Sequence, residues 1–182
     1  MGFAYDQVLY PGFPLAQTHP DRLATIAGLL GMTPARPDRA RVLELGCGDG
    51  GNLIPMAVEL PGSEFTGIDL AQPGIARGRA ISEALGLKNI SLRQMDLLAA
   101  GADLGQFDYI LAHGLYSWVP AHVRDGVLRI CRTNLAHDGV AYVSYNAYPG
   151  FHRREIFRGM MLHHVRNVQD PSKRYEEAVR LI

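Results

Sequence analysis

Arg41-Val42-Leu43-Glu44-Leu45-Gly46-Cys47-Gly48-Asp49-Gly50-Gly51-Asn52 is the stretch whose reading decides the fold. Residues 41–45 predict a short, largely apolar strand, and the glycines that follow let the backbone turn sharply and lie against a ligand. A helix over about 52–60 comes next, so the segment opens a βαβ unit. Read as Gly46, Gly48 and Gly51, the loop matches the GxGxxG pattern of dinucleotide sites, which also follows a strand and opens a helix.

Outward from this loop the alternation continues. Strands are expected at 64–69, 90–94, 107–112 and 140–145, with helices at about 73–85 and 120–135 between them. Strands joined by crossovers of this length pair in parallel, and ligands of such sheets sit at the carboxyl ends of the strands, near the switch point beside the first strand. Upstream, residues 1–17 carry prolines and tyrosines without periodicity and read as an extended arm. Thr18-His19-Pro20-Asp21 reads as a helix start with a Thr cap, and Leu23, Ile26, Ala27 and Leu30 form the buried stripe that Gly31 stops. Downstream of 150, His152 to Val168 reads as helix, and Pro171 opens a further stretch whose apolar face is Ala178, Val179 and Ile182. The expected organisation is an arm over 1–17, a ligand-binding α/β domain over 18–150 and a helical extension over 151–182.

Composition narrows the classes of partner. Lys and Arg number 18, as do Asp and Glu, so no global field draws in nucleic acid or an anionic membrane. Residues 151–182 hold seven basic residues against four acids, which reads as a solvated helix face. Cys47 and Cys131 have no metal-ligand spacing and suit a reducing cytoplasm. His163 and His164 point about 100° apart on a helix, so no metal is assigned.

The acids of the glycine loop discriminate between ligands. A pyrophosphate wants a helix N-terminus free of negative charge, whereas Glu44 and Asp49 complement the sulfonium and ammonium of S-adenosylmethionine. Asp69, ending the second strand, stands close to the roughly 20-residue spacing at which an acid grips ribose hydroxyls. Asp96, just past the third strand, can accept from an adenine amino group while Leu70 and Leu97 sandwich the ring. Three acids at three successive strand ends point to S-adenosylmethionine rather than a dinucleotide.

These features resemble class I methyltransferases across roughly residues 40 to 145, the loop from Glu44 to Gly50 matching their ExGxGxG signature and Asp69 and Asp96 their next two motifs. The flanking segments Thr18-His19-Pro20-Asp21-Arg22-Leu23, His113-Gly114-Leu115-Tyr116-Ser117-Trp118-Val119-Pro120 and Ser144-Tyr145-Asn146-Ala147-Tyr148-Pro149-Gly150 are similar to a bacterial group that carries a methyltransferase regulatory domain, akin to rickettsial protein-lysine methyltransferases. The resemblance implies a Rossmann-like sheet of at least five parallel strands with helices on both faces. It also implies a terminal antiparallel hairpin, which nothing after Tyr145 supplies, so the chain is expected to be part of a longer one. The cofactor set is then Tyr5, His19, Glu44, Gly46, Cys47, Gly48, Gly50, Asn52, Asp69, Leu70, Asp96, Leu97 and His113, with Tyr5, Tyr10 and His19 covering the ligand from the arm. Where amino-methyltransferases of adenine or glutamine carry an NPPY-like tetrapeptide, this chain reads His113-Gly114-Leu115-Tyr116, which disfavours those acceptors.

Methyl transfer is an in-line displacement in which alignment matters most. Tyr116, Trp118, Tyr145 and Tyr148 lie just after the fourth and fifth strands, where an aromatic wall can attract a cationic amine and, by burying it, favour its neutral form. His113, where the fourth strand meets the site, is the candidate base. The acceptor is expected to be an amine such as a protein lysine; a small-molecule acceptor and a non-catalytic cofactor-binding module are the alternatives.

Overall fold

Alternation along the first strand sets the two faces of the sheet. In β1 (Arg41–Leu45), Val42 and Leu43 are both fully buried but belong to different cores, because successive side chains of a strand point to opposite faces. The structure is a computed structural model that describes residues 12–181; the expectations for Tyr5 and Tyr10 lie outside the described residues. β2 (Glu64–Asp69), β3 (Ile90–Gln94), β4 (Phe107–Ala112) and β5 (Leu135–Val143) join β1 in one parallel sheet of order β3-β2-β1-β4-β5. The expected five-stranded parallel sheet is therefore present. The order reverses between β1 and β4, and in sheets of this kind the ligand crevice lies at the carboxyl ends beside that switch point.

Helices cover both faces. α1 (Pro20–Leu29), α2 (Leu53–Glu59) and α3 (Gln72–Ala84) bring Leu23, Met56, Ala57 and Ile75 to one core with Val42, Phe65, Tyr109 and Leu111. On the other face, Val127 and Ile130 of α4 (Ala121–Asn134) meet Leu43, Leu45, Ile110 and Ala112. Each such large side chain stabilises the fold by roughly 1.5–3 kcal/mol through burial. The Tyr109 hydroxyl, at the rim of its core, donates to the carbonyl of Ala35.

Both ends of β5 and the cap of α1 differ from the sequence reading. β5 starts at Leu135, directly on the end of α4, rather than at 140; Leu135 pairs with Phe107, and regular pairing resumes at Val140 opposite Tyr109 after an irregularity. The polar residues His137 and Asp138 sit in that irregularity as an exposed 3.0 Å pair. β5 ends at Val143, although the Ser144 N–H still donates to the Ala112 carbonyl at 3.0 Å. At α1 the cap is His19, whose Nδ1 accepts from the Asp21 N–H at 3.3 Å; Thr18 is fully buried instead.

The chain divides into two units, the first spanning Tyr10–Tyr145 and the second containing residues from Asn146 onward. In the second, α5 (His152–His164) and α6 (Pro171–Arg180) pack on each other, α5 stopping four residues short of the expected 168. α6 starts at Pro171 because the Asp170 side chain accepts from the Lys173 N–H at 2.8 Å. The Tyr148 hydroxyl donates to Glu155 at 2.6 Å. Among the described residues no helix is long and apolar enough to cross a membrane.

Candidate active site

The glycine loop joins β1 to α2 at the crevice. Gly46, Gly48 and Gly50 hold φ of 72°, 57° and 75°, a left-handed conformation that costs a residue with a Cβ roughly 1–2 kcal/mol. Such a path tucks the loop over the end of β2: the Gly46 and Cys47 N–H groups both donate to the Ile68 carbonyl, at 2.9 and 3.2 Å. Asp69 closes the arrangement, one carboxylate oxygen accepting from Gly48 N–H and the other from Ala71 N–H, each at 2.8 Å. Each oxygen keeps acceptor capacity for a further donor. Asp49, expected to present charge to the ligand, instead serves the loop, for its buried carboxylate accepts from the Gly51 N–H at 3.1 Å and lies 3.9 Å from the Arg77 guanidinium. Burial, with Glu44 and Asp69 nearby, pushes the Cys47 thiol well up and keeps it protonated.

Glu44 lies on the face of β1 that α1 and α2 cover. Its side chain is buried, Oε1 accepting from Asn52 Nδ2 at 2.8 Å and Oε2 having no partner among the described residues. Burial pushes the carboxyl up to about 8, Asn52 opposing and Asp69 reinforcing the shift. Asn52, expected at the ligand, has its amide fully engaged within the protein: Nδ2 also donates to Thr18 Oγ1 at 3.0 Å, and Oδ1 accepts from the Leu15 N–H at 2.9 Å. His19 Nε2 lies 3.6 Å from Glu59, at the opposite end of α2 from the loop.

At the end of β3, Asp96 accepts from the Leu98 N–H at 2.9 Å and caps a single 3₁₀ turn, Leu97–Ala99. Leu97 packs into the second core, while Leu70, past β2, is partly exposed. Sequence reasoning missed what fixes this turn. Arg129 of α4 donates to the carbonyls of Ala100, Leu98 and Leu97, at 2.7, 3.3 and 3.4 Å. Arg129→Met is expected to lower the unfolding free energy by about 1–2 kcal/mol in urea titrations, given the partial exposure of these bonds, and to speed amide exchange over 97–100. Arg129→Lys should not restore either property, since an ammonium lacks the planar fork that spans separate carbonyls.

Across the switch point, β4 leads into His113. Its ring stacks on Tyr142 at 6.0 Å between centroids, its Nδ1 lies 3.4 Å from the Tyr142 hydroxyl, and burial lowers its pKa. A neutral imidazole results. Ser144 Oγ accepts from the Gly114 N–H at 2.8 Å and ties the loop after β4 to the end of β5. Tyr116 is half-buried with the Arg124 guanidinium 5.9 Å from its ring centre, whereas Trp118 and Tyr145 are 50% and 69% exposed. The sheet thus aligns Asp96, Asp69, the glycine loop with Glu44, and His113 along one edge, at the ends of four adjacent strands.

That edge defines the class. A family model described as a methyltransferase domain matches residues 42–139, and the chain belongs to that family. Two uncharacterised Rickettsia prowazekii proteins, RP789 and RP028, are 43% and 37% identical to it over 88% of its length; the chain spans 29% of the first and 64% of the second. The structure of PKMT2 from Rickettsia typhi in complex with AdoHcy superposes with a TM-score of 0.84 at 35% identity, covering 94% of this chain and 33% of that one.

Proposed function

We propose that this chain binds S-adenosylmethionine and transfers its methyl group to a nucleophilic acceptor, an amine such as a protein lysine being favoured. The observation that carries the reading is Glu44, a buried carboxyl with one oxygen unpartnered among the described residues, next to a glycine loop at the switch point. A pyrophosphate would meet the carboxyl groups of Glu44 and Asp69 there; a ligand bearing an ammonium and a sulfonium complements both. Asp69, with acceptor capacity left over, suits ribose hydroxyls, and Asp96 with Leu70 and Leu97 suits the adenine.

When bound, S-adenosylmethionine supplies a methyl group that the acceptor's lone pair takes as the sulfur–methyl bond breaks, leaving S-adenosylhomocysteine. Only about a thousandth of a lysine is neutral at pH 7, so the site must favour proton loss. In this reading His113 takes that proton, directly or through water; its stacking on Tyr142 and its lowered pKa, which keeps the ring free to accept, support the role. Tyr116, Trp118 and Tyr145 flank the approach. The resemblance to the rickettsial protein-lysine methyltransferases favours lysine over a small molecule, within the cytoplasmic group that carries a regulatory domain.

Thermal-shift measurements with S-adenosylmethionine, S-adenosylhomocysteine and NAD test the cofactor. The first two are expected to stabilise the protein, by about 2.7 kcal/mol at a hundredfold excess over Kd, and NAD is not. Stabilisation by NAD alone overturns the reading. Labelled-methyl transfer to a protein panel and to a metabolite panel then tests the acceptor; label on metabolites and not on protein removes the lysine assignment.

A further inference from the structure

We infer that Thr18 and Asn52 form a positioning relay that seats residues 12–18 on the glycine loop and orients the Glu44 carboxyl, so that the seat of this segment and the occupancy of the cofactor site depend on each other. The inference rests on the cofactor reading above. Thr18 is fully buried at the end of the segment that precedes α1. Its hydroxyl donates to the Leu15 carbonyl at 2.9 Å and meets the Asn52 amide, which reaches Glu44 on its other side at 2.8 Å. The Leu15 N–H donates to Asn52 Oδ1, so one amide joins the backbone of the segment, a buried hydroxyl and the buried carboxyl.

Asparagine suits this position because the bridge needs a donor toward the carboxyl and an acceptor toward the Leu15 N–H on one short side chain. Aspartate would set a second carboxylate against Glu44. The inward amide is also unavailable as a cap: Asn52 precedes α2 and gives that helix no side-chain hydrogen bond. An independent contact lies at the other end of the segment. A Cβ on Gly51 would fall 2.6 Å from Gly12 Cα, so the two glycines let the segment lie directly on the loop backbone.

The test uses the whole chain. Thr18→Val removes the hydroxyl at constant shape, and Thr18→Ser keeps it. Calorimetry with S-adenosylhomocysteine is expected to show roughly tenfold weaker binding for Thr18→Val and recovery for Thr18→Ser, as loss and return of a buried hydrogen bond imply. A purely structural role would lower the unfolding midpoint of Thr18→Val and leave its Kd unchanged, which overturns the inference. A double-mutant cycle of Thr18→Val and Glu44→Gln in urea unfolding is expected to be non-additive. This cycle needs no ligand. Wild-type protein that ignored S-adenosylhomocysteine would overturn the cofactor reading and the link to occupancy, while an additive cycle would overturn the relay itself.

Discussion

Asp69→Ala is expected to weaken S-adenosylhomocysteine binding by about 1.5–3 kcal/mol, the cost of losing charge-assisted hydrogen bonds to a ligand. The structure argues for the upper part of that range. The same carboxylate holds the Gly48 and Ala71 N–H groups, so its removal frees the glycine loop as well as the proposed ribose contact. Asp69→Asn keeps one carbonyl oxygen for these donors and should lose less. Isothermal calorimetry checks both variants, and unchanged affinity in Asp69→Ala would remove the residue from the site.

Glu44→Gln is expected to move stability and affinity in opposite directions. In the folded protein the carboxyl keeps its proton up to about 8, against an ordinary value of 4.5. Between those values the unfolded chain has released the proton and the folded one retains it. The unfolding free energy therefore falls as pH rises through this window, by up to about 1.4 kcal/mol per pH unit, and the contribution is constant below it. Glutamine, neutral throughout, removes that slope, so at pH 8 the variant should be more stable than the parent, the two converging near pH 4.5. Binding of S-adenosylhomocysteine, whose ammonium would draw the carboxyl into its ionised form, loses that charge in the variant and should weaken by about 1.5–3 kcal/mol. Urea titrations across pH 5 to 8 test the first half; parallel pH slopes in parent and variant would show that Glu44 does not carry the effect.

Much of this arrangement is legible in the sequence because short apolar strands and a glycine loop are local signals. The first four strands fall at the expected residues, with Glu44, Asp69 and Asp96 at the ends of the first three. What sequence reading did not foresee shares one physical cause. Thr18, Asp49 and Asn52 each carry a polar group that reads as a cap or a ligand contact, yet each is buried and bonded within the protein. Local spacing does not reveal such partners, since Thr18 and Asn52 stand 34 residues apart and meet only once the chain has folded. Arg129 shows the same limit: on α4 it reads as one more charge, and only the tertiary fold sets it over three carbonyls.

The central position of β1 has a consequence for how the protein is made. β1 pairs with β2 on one side and β4 on the other, Val42 lying beside Tyr109. The glycine loop leaves the ribosome early, directly behind β1, but its second flank exists only once Phe107–Ala112 has emerged. Such distant parallel pairing is slow to form and leaves strand edges open meanwhile. The crevice is thus a late product of synthesis, and a nascent chain halted before β4 would carry the whole loop motif without a place to hold a ligand.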